Sequence, residues 1–184
     1  ISYYTSPIIL NILAIIILKE KLKRKTLISL TLGFLGMIFI IYNGKDLVGG
    51  QFVGILYGLI AAFFYAFFSI TNKKINNLAA IKATFIQSGV ATISFIPFLF
   101  PITIPDLKSI FLLLIMGVFH TALALILYLS GLKKLKAQDV GVLSYVDPLS
   151  AVLLAALLLG EIPTLLTTIG AVLVLLSGYI LMKN

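Results

Sequence analysis

The chain has 184 residues, 61% of them apolar, with fourteen Lys and Arg against six Asp and Glu and no cysteine. Soluble domains hold about 45–50% apolar residues, so this composition is that of an integral membrane protein, all-α and polytopic. The missing cysteines exclude disulfides, thiol chemistry and cysteine-ligated metal. The net charge of +8 sits almost wholly in short loops beside apolar runs, which is membrane anchoring and not nucleic-acid binding.

A membrane span needs about 20 apolar residues. That length predicts seven transmembrane helices over 1–18, 26–43, 51–71, 83–100, 109–132, 140–159 and 163–182. The chain opens at Ile1 inside an apolar segment, without an initiator Met or a readable signal peptide, and is read as a fragment or a mis-started frame. Loops after spans one, three and five carry Lys19, Lys21, Lys23, Arg24, Lys25, Lys73, Lys74, Lys82, Lys133, Lys134 and Lys136, and Lys183 lies on the same side. The opposite face holds only Lys45 and Lys108. This asymmetry places the first set, and the C-terminus, in the cytoplasm of a cell-membrane protein.

Span one begins Tyr4-Thr5-Ser6-Pro7, carries Asn11 and ends before Glu20. Span two bears the small residues Ser29, Gly33 and Gly36, and Tyr42 near its end. In span three Gly54, Gly58, Ala62 and Ala66 recur at every fourth position, a face for close helix approach. Tyr65 and Ser69 lie in the same span, and Gln87 and Ser88 lie in span four. Span five holds the single histidine, His120, and Tyr128. Span six has Tyr145, Asp147 and Pro148, then Ala151 and Ala155, and is followed by Glu161. Span seven carries Gly170, Ser177 and Gly178. Tyr42, Tyr57 and Tyr179 fall near span ends and are read as interfacial anchors.

Tyr4, Pro7 and Glu20 recur at one constant spacing as Tyr145, Pro148 and Glu161. Spans one and six are five spans apart, so the shared phrase runs through the bilayer in opposite directions. Antiparallel copies of a five-helix unit follow, with the first three helices of the first unit absent, and Glu20 and Glu161 on opposite faces. Pro7 and Pro148 sit near mid-span. Each either starts a half-helix, with Ser6 or Asp147 as its N-cap, or kinks a continuous one. Asp147 is the only acidic residue inside a span, and an intramembrane carboxylate faces a cavity or a partner, or serves as the cap alone. His120 is either a proton-exchanging group or a packed histidine bonded to a carbonyl or hydroxyl. Tyr4, Ser6, Asn11, Tyr65, Gln87, Tyr128 and Tyr145 suit a pocket for small organic solutes, or serve singly as helix–helix contacts. No metal site and no cofactor are expected.

The stretch Leu135-Lys136-Ala137-Gln138-Asp139-Val140-Gly141-Val142-Leu143-Ser144-Tyr145-Val146-Asp147-Pro148, continuing to Leu159-Gly160-Glu161, resembles the ninth helix of EamA-type members of the drug/metabolite transporter superfamily. Gly170 to Val174 and Gly178 resemble the tenth helix, and Phe119 to Ala124 with Tyr128 the eighth. Tyr4 to Pro7 with Lys19-Glu20 resembles the fourth, and Gly33-Phe34-Leu35-Gly36 the fifth. Lys19 stands where many members have Gly. The resemblance implies ten helices in two inverted repeats, of which 1–44 would be the last two helices of the first and 51–184 the complete second. It further implies alternating-access transport, by export or uptake, of small metabolites such as amino acids, or of drugs; export is the direction expected here. The expected partners are a small-molecule substrate, the lipid bilayer and a coupling proton; oligomeric state is left open.

Other classes fit less well. No Gly-x-x-x-x-Gly-Lys-[Ser/Thr] loop is present for an ATP-driven pump. Ser130 and His120 lie ten residues apart on one helix, about 15 Å, too far for a hydrolase dyad, so no enzyme activity is expected. The alternatives are a truncated, non-transporting membrane fragment and an accessory membrane subunit.

Overall fold

A computed structural model describes residues 2–41, 52–75, 77–100 and 105–183. Tyr42 and Lys45, assigned above as an interfacial anchor and an external charge, lie outside the described residues. A short 3-10 turn, Ser2–Thr5, leads into α1 (Ser6–Leu18). Then come α2 (Arg24–Ile41), α3 (Phe52–Lys74), α4 (Ala80–Phe95) with a 3-10 extension Ile96–Leu99, and α5 (Leu107–Ile115). A π-helical stretch, Met116–Leu123, joins α5 to α6 (Ala124–Lys134). The chain finishes with α7 (Ala137–Leu143), α8 (Val146–Leu159) and α9 (Leu165–Met182). Among the described residues there is no strand.

Six helical runs are at least eighteen residues long and apolar enough to cross a membrane: 24–41, 53–74, 80–98, 107–134, 137–159 and 165–182. The seventh expected span is the shorter run Ser2–Leu18, close to the lower limit of about 17 residues for a crossing. The spans expected at 109–132 and 51–71 run on past their apolar cores to Lys134 and Lys74, because long cationic side chains place their charge in the interface while their stems stay helical.

The helices fall into two compact units, one made of 1–74 with 135–184 and the other of 75–134. In the first, α2 and α9 form the most extensive pair, and they run antiparallel. Ser177 Oγ donates to the Ser29 carbonyl at 2.7 Å, and near the other end Gly36 meets Gly170. A Cβ on Gly36 would sit 2.6 Å from the Gly170 carbonyl oxygen. In lipid there is little hydrophobic drive between helices, so such backbone approach, with its dispersion and hydrogen bonds, is what holds the pair. Lys25 Nζ donates to the Leu181 and Lys183 carbonyls at 3.2 Å each and so neutralises the negative end of α9. Leu30, Met37, Ile40, Val142, Tyr145, Leu149, Val174 and Leu181 make one core. A second core joins Leu10 and Ala14 of α1, Ala66 and Ile70 of α3 and Ala137 of α7. The small-residue face of α3 is used there: Ala62 and Ala66 are fully buried, while Gly58 packs against Ser2 and Gly54 stays exposed.

The two copies of the repeated phrase end alike. Lys19 and Gly160, 141 positions apart, both take the left-handed conformation, with φ of 54° and 69°. The amides of Lys19 and Glu20 return to the Ala14 carbonyl, and those of Gly160 and Glu161 return to Ala155 at the same spacing. The two copies share one helix stop, although only one has the residue that adopts it without cost.

In the second unit α4 packs on α6 and on the π-helical stretch, with Ala83, Thr84, Leu129 and Leu132 buried. Elsewhere its surface is large and apolar: Phe85 and Phe98 are 80% exposed and Leu107 83%. Such a surface has lipid as its natural solvent.

Candidate functional site

The chain breaks its helical order at both proline positions. α1 starts at Ser6, after the 3-10 turn, with Pro7 in its first turn, where a missing N–H costs nothing. α7 stops at Leu143; Tyr145 N–H and Asp147 N–H each bond three residues back, to Val142 and Ser144, before α8 begins at Val146. The capping role expected of the preceding residues is not seen. The N-cap positions are Thr5 and Tyr145, neither makes a side-chain cap bond, and Asp147 lies inside the first turn. Proline's fixed φ and the tightened 3-10 bonding are enough to set both starts.

Freed from capping, Asp147 is an exposed carboxylate within electrostatic range of Tyr3. Tyr3 packs edge-to-face on Tyr4, with ring centroids 5.8 Å apart, and on Tyr65 of α3 at 6.0 Å. Three tyrosine rings are therefore packed together at the start of α1, and the Asp147 carboxylate stands at the start of α8. Tyr3 is not singled out by the sequence pattern, although its place beside Tyr4 is the available signal.

Other candidates lie in packing. Tyr145 is fully buried, its ring against Gly33, and its hydroxyl has no hydrogen-bond partner among the described residues. Asn11, 2% exposed, donates Nδ2 to the Pro7 carbonyl at 2.9 Å and to the Gln138 carbonyl at 3.4 Å, joining α1 to α7. Ser6 is 3% exposed. Glu20 caps the start of α7, where its Oε1 accepts from Ala137 N–H at 3.0 Å and its Oε2 from Gln138 N–H at 3.3 Å. Gln138 Nε2 returns a bond to the Glu20 carbonyl at 3.3 Å. A carboxylate on two free amides at a helix start satisfies orphan donors and complements the helix dipole. Glu161, its repeat partner, is exposed.

His120, Gln87 and Tyr128 belong to the second unit. His120 lies in the π-helical stretch, exposed, without a hydrogen bond among the described residues. Segments of π-helix occur often at functional positions because they displace side chains from the regular helical face. Thr121 Oγ1 reaches the Met116 carbonyl five residues back at 3.2 Å, in keeping with that widening. Gln87 and Tyr128 are half-buried. Among the described residues no three His, Cys, Asp or Glu side chains group as metal ligands would.

Comparison with known proteins gives one answer. The EamA-like transporter family matches residues 52–183. The uncharacterized transporter YxxF of Bacillus subtilis is 29% identical over 176 residues, covering 94% of this chain and 57% of the relative. An uncharacterized transporter of Clostridium kluyveri is 28% identical, covering 91% and 57%, and one of Archaeoglobus fulgidus is 25% identical, covering 94% and 62%. The chain thus spans somewhat more than half the length of these relatives. A crystal structure 18% identical in sequence shares the fold with a TM-score of 0.83, over 97% of this chain and 65% of that one. The chain is an all-helical, polytopic membrane protein that belongs to the EamA-like transporter family of the drug/metabolite transporter superfamily.

Proposed function

We propose that the chain is the C-terminal part of a secondary transporter that moves small metabolites, such as amino acids or drugs, by alternating access, in the direction of export. The observation that carries this reading is the exposed Asp147 carboxylate in the first turn of α8, where helical order is interrupted, with the Tyr3, Tyr4 and Tyr65 rings packed together at the corresponding start of α1. Interrupted helices place backbone polar groups at membrane depth, which is tolerated where they line a cavity. Tyrosine faces and a carboxylate together favour solutes bearing an amino group, through cation–π and charge attraction. In this reading His120 serves separately as a proton-exchanging group, and the bilayer and a proton are the other partners. Residues 1–44 and 51–184 act as parts of two repeats, in a cell membrane with the C-terminus cytoplasmic.

Counterflow in proteoliposomes holding the full-length gene product tests this. Radiolabelled amino acids and amine drugs should exchange saturably against unlabelled solute. Absence of exchange across a panel of amine-bearing, neutral and acidic solutes would favour the non-transporting or accessory reading.

A further inference from the structure

The second unit carries a cation at the edge of an apolar groove, and no acid of that unit answers it. At about 100° per residue, Leu78, Ile81, Lys82, Phe85 and Ile86 share one side of α4 and the turn before it, and Ala83 and Thr84 fall on the other. Ala83 and Thr84 are buried, in the unit where α4 packs on α6. The first group lines an open cavity of about 380 Å³. Its walls are apolar except for Lys82, which is exposed and makes no hydrogen bond or ion pair among the described residues. Asp106 is the one acidic residue between 75 and 134, and it stands at the far end of α4, just ahead of α5. The near end gains a second exposed cation instead, Lys134, which closes α6. The open side of α4 runs on through Gly89, where an added Cβ would meet nothing within 4 Å, to the exposed Ile93. Lys82 and Ile93 lie about 16 Å apart along the helix axis, close to the roughly 15 Å depth of hydrocarbon in one leaflet.

We propose that this groove binds one anionic phospholipid, its phosphate at Lys82 and an acyl chain laid along Phe85, Ile86 and Gly89 as far as Ile93. Charge and depth together select that occupant. An apolar protein helix would fill the groove but leave the ammonium without a counter-ion in a low-dielectric surround. A zwitterionic headgroup brings its own cation against the lysine, whereas an anionic one meets it with net negative charge. The lysine stem lies along the apolar wall and carries the charge to headgroup level. Below it, the low point at Gly89 leaves room for a chain between the larger side chains on either side.

Quenching by brominated lipid tests this in the full-length gene product, held in phosphatidylcholine vesicles with increasing dibrominated phosphatidylglycerol or dibrominated phosphatidylcholine. This chain contains no tryptophan. With tryptophans elsewhere in the gene product replaced by phenylalanine, Phe85→Trp reports the groove. Phe98→Trp reports an equally exposed position at the far end of α4. The Phe85→Trp probe should be half-quenched at a roughly fivefold lower mole fraction of the anionic lipid than of the zwitterionic one, the contribution of one interfacial lysine. The Phe98→Trp probe should not distinguish the two. Lys82→Gln should abolish the preference and Lys82→Arg should keep it, while Lys21→Gln, in a loop of the other unit, should leave it intact. Equal quenching by both lipids at the Phe85→Trp probe would overturn the proposal, because any bilayer lipid would then serve. Absence of quenching by either would overturn it too, because another part of the protein would then cover the groove. A preference that survives Lys82→Gln, or that the Phe98→Trp probe shares, would trace it to overall charge and would equally contradict the site.

Discussion

Exchanging the residues at the two helix stops separates backbone strain from every other contribution. Lys19 holds φ 54° with a β-carbon, and Gly160 holds φ 69° without one. Holding a non-glycine residue in the left-handed region costs about 1–2 kcal/mol. Glycine gives back roughly 0.4–1 kcal/mol through the greater freedom of the unfolded chain. Lys19→Gly should therefore stabilise the protein by about 0.5–1 kcal/mol. Gly160→Ala should destabilise it by about the same amount, and nothing lies within 4 Å of the added carbon to confuse the result. For a chain of this size 1 kcal/mol moves Tm by about 2–4 °C, so thermal unfolding of the purified protein in one detergent should show shifts of opposite sign, with the double variant near the parent. A Lys19→Gly variant that melts at or below the parent temperature would refute the reasoning.

Three further outcomes follow from the packing. Glu20→Ala leaves two amides of α7 without their acceptor and should cost about 2 kcal/mol, with Glu20→Gln intermediate, read as loss of protection for the amides of Ala137 and Gln138 in hydrogen exchange. Gly36→Val thrusts a branched side chain at the Gly170 backbone and should lower stability by about 1–3 kcal/mol, whereas the same change at Gly178, with open space around it, should move Tm little. Tyr145→Phe removes a buried hydroxyl that has no partner among the described residues and should raise stability by about 1 kcal/mol in thermal unfolding; a loss of that size would show that the hydroxyl is bonded in the membrane.

The course of the helices was legible because apolar length and lysine placement are properties of single segments. Repeat spacing went further: it singled out Glu20 and Glu161, and the stops at Lys19 and Gly160 share one geometry. What could not be read was which polar side chain meets which neighbour. Asn11 and Tyr145 suited either a pocket or helix–helix contact; here one bridges α1 to α7 and the other fills the space that Gly33 leaves open. Both outcomes depend on pairings more than a hundred positions apart, which no local pattern encodes. Asp147 before a proline matched the usual N-cap signal, but helix order resumes two residues earlier than that signal implies. The widened helix around His120 had no local mark either, since one extra residue per turn leaves the apolar pattern nearly unchanged.

The function proposed for this chain turns on Asp147 serving transport. Its most direct test is the pH profile of solute counterflow for the full-length protein and its Asp147→Asn variant, with Tm measured alongside to establish equal folding. We predict an Asp147→Asn protein that folds, melts near the parent temperature, and has lost most exchange and its dependence on pH. An Asp147→Asn protein with the parent's rate and the parent's pH profile would contradict that role.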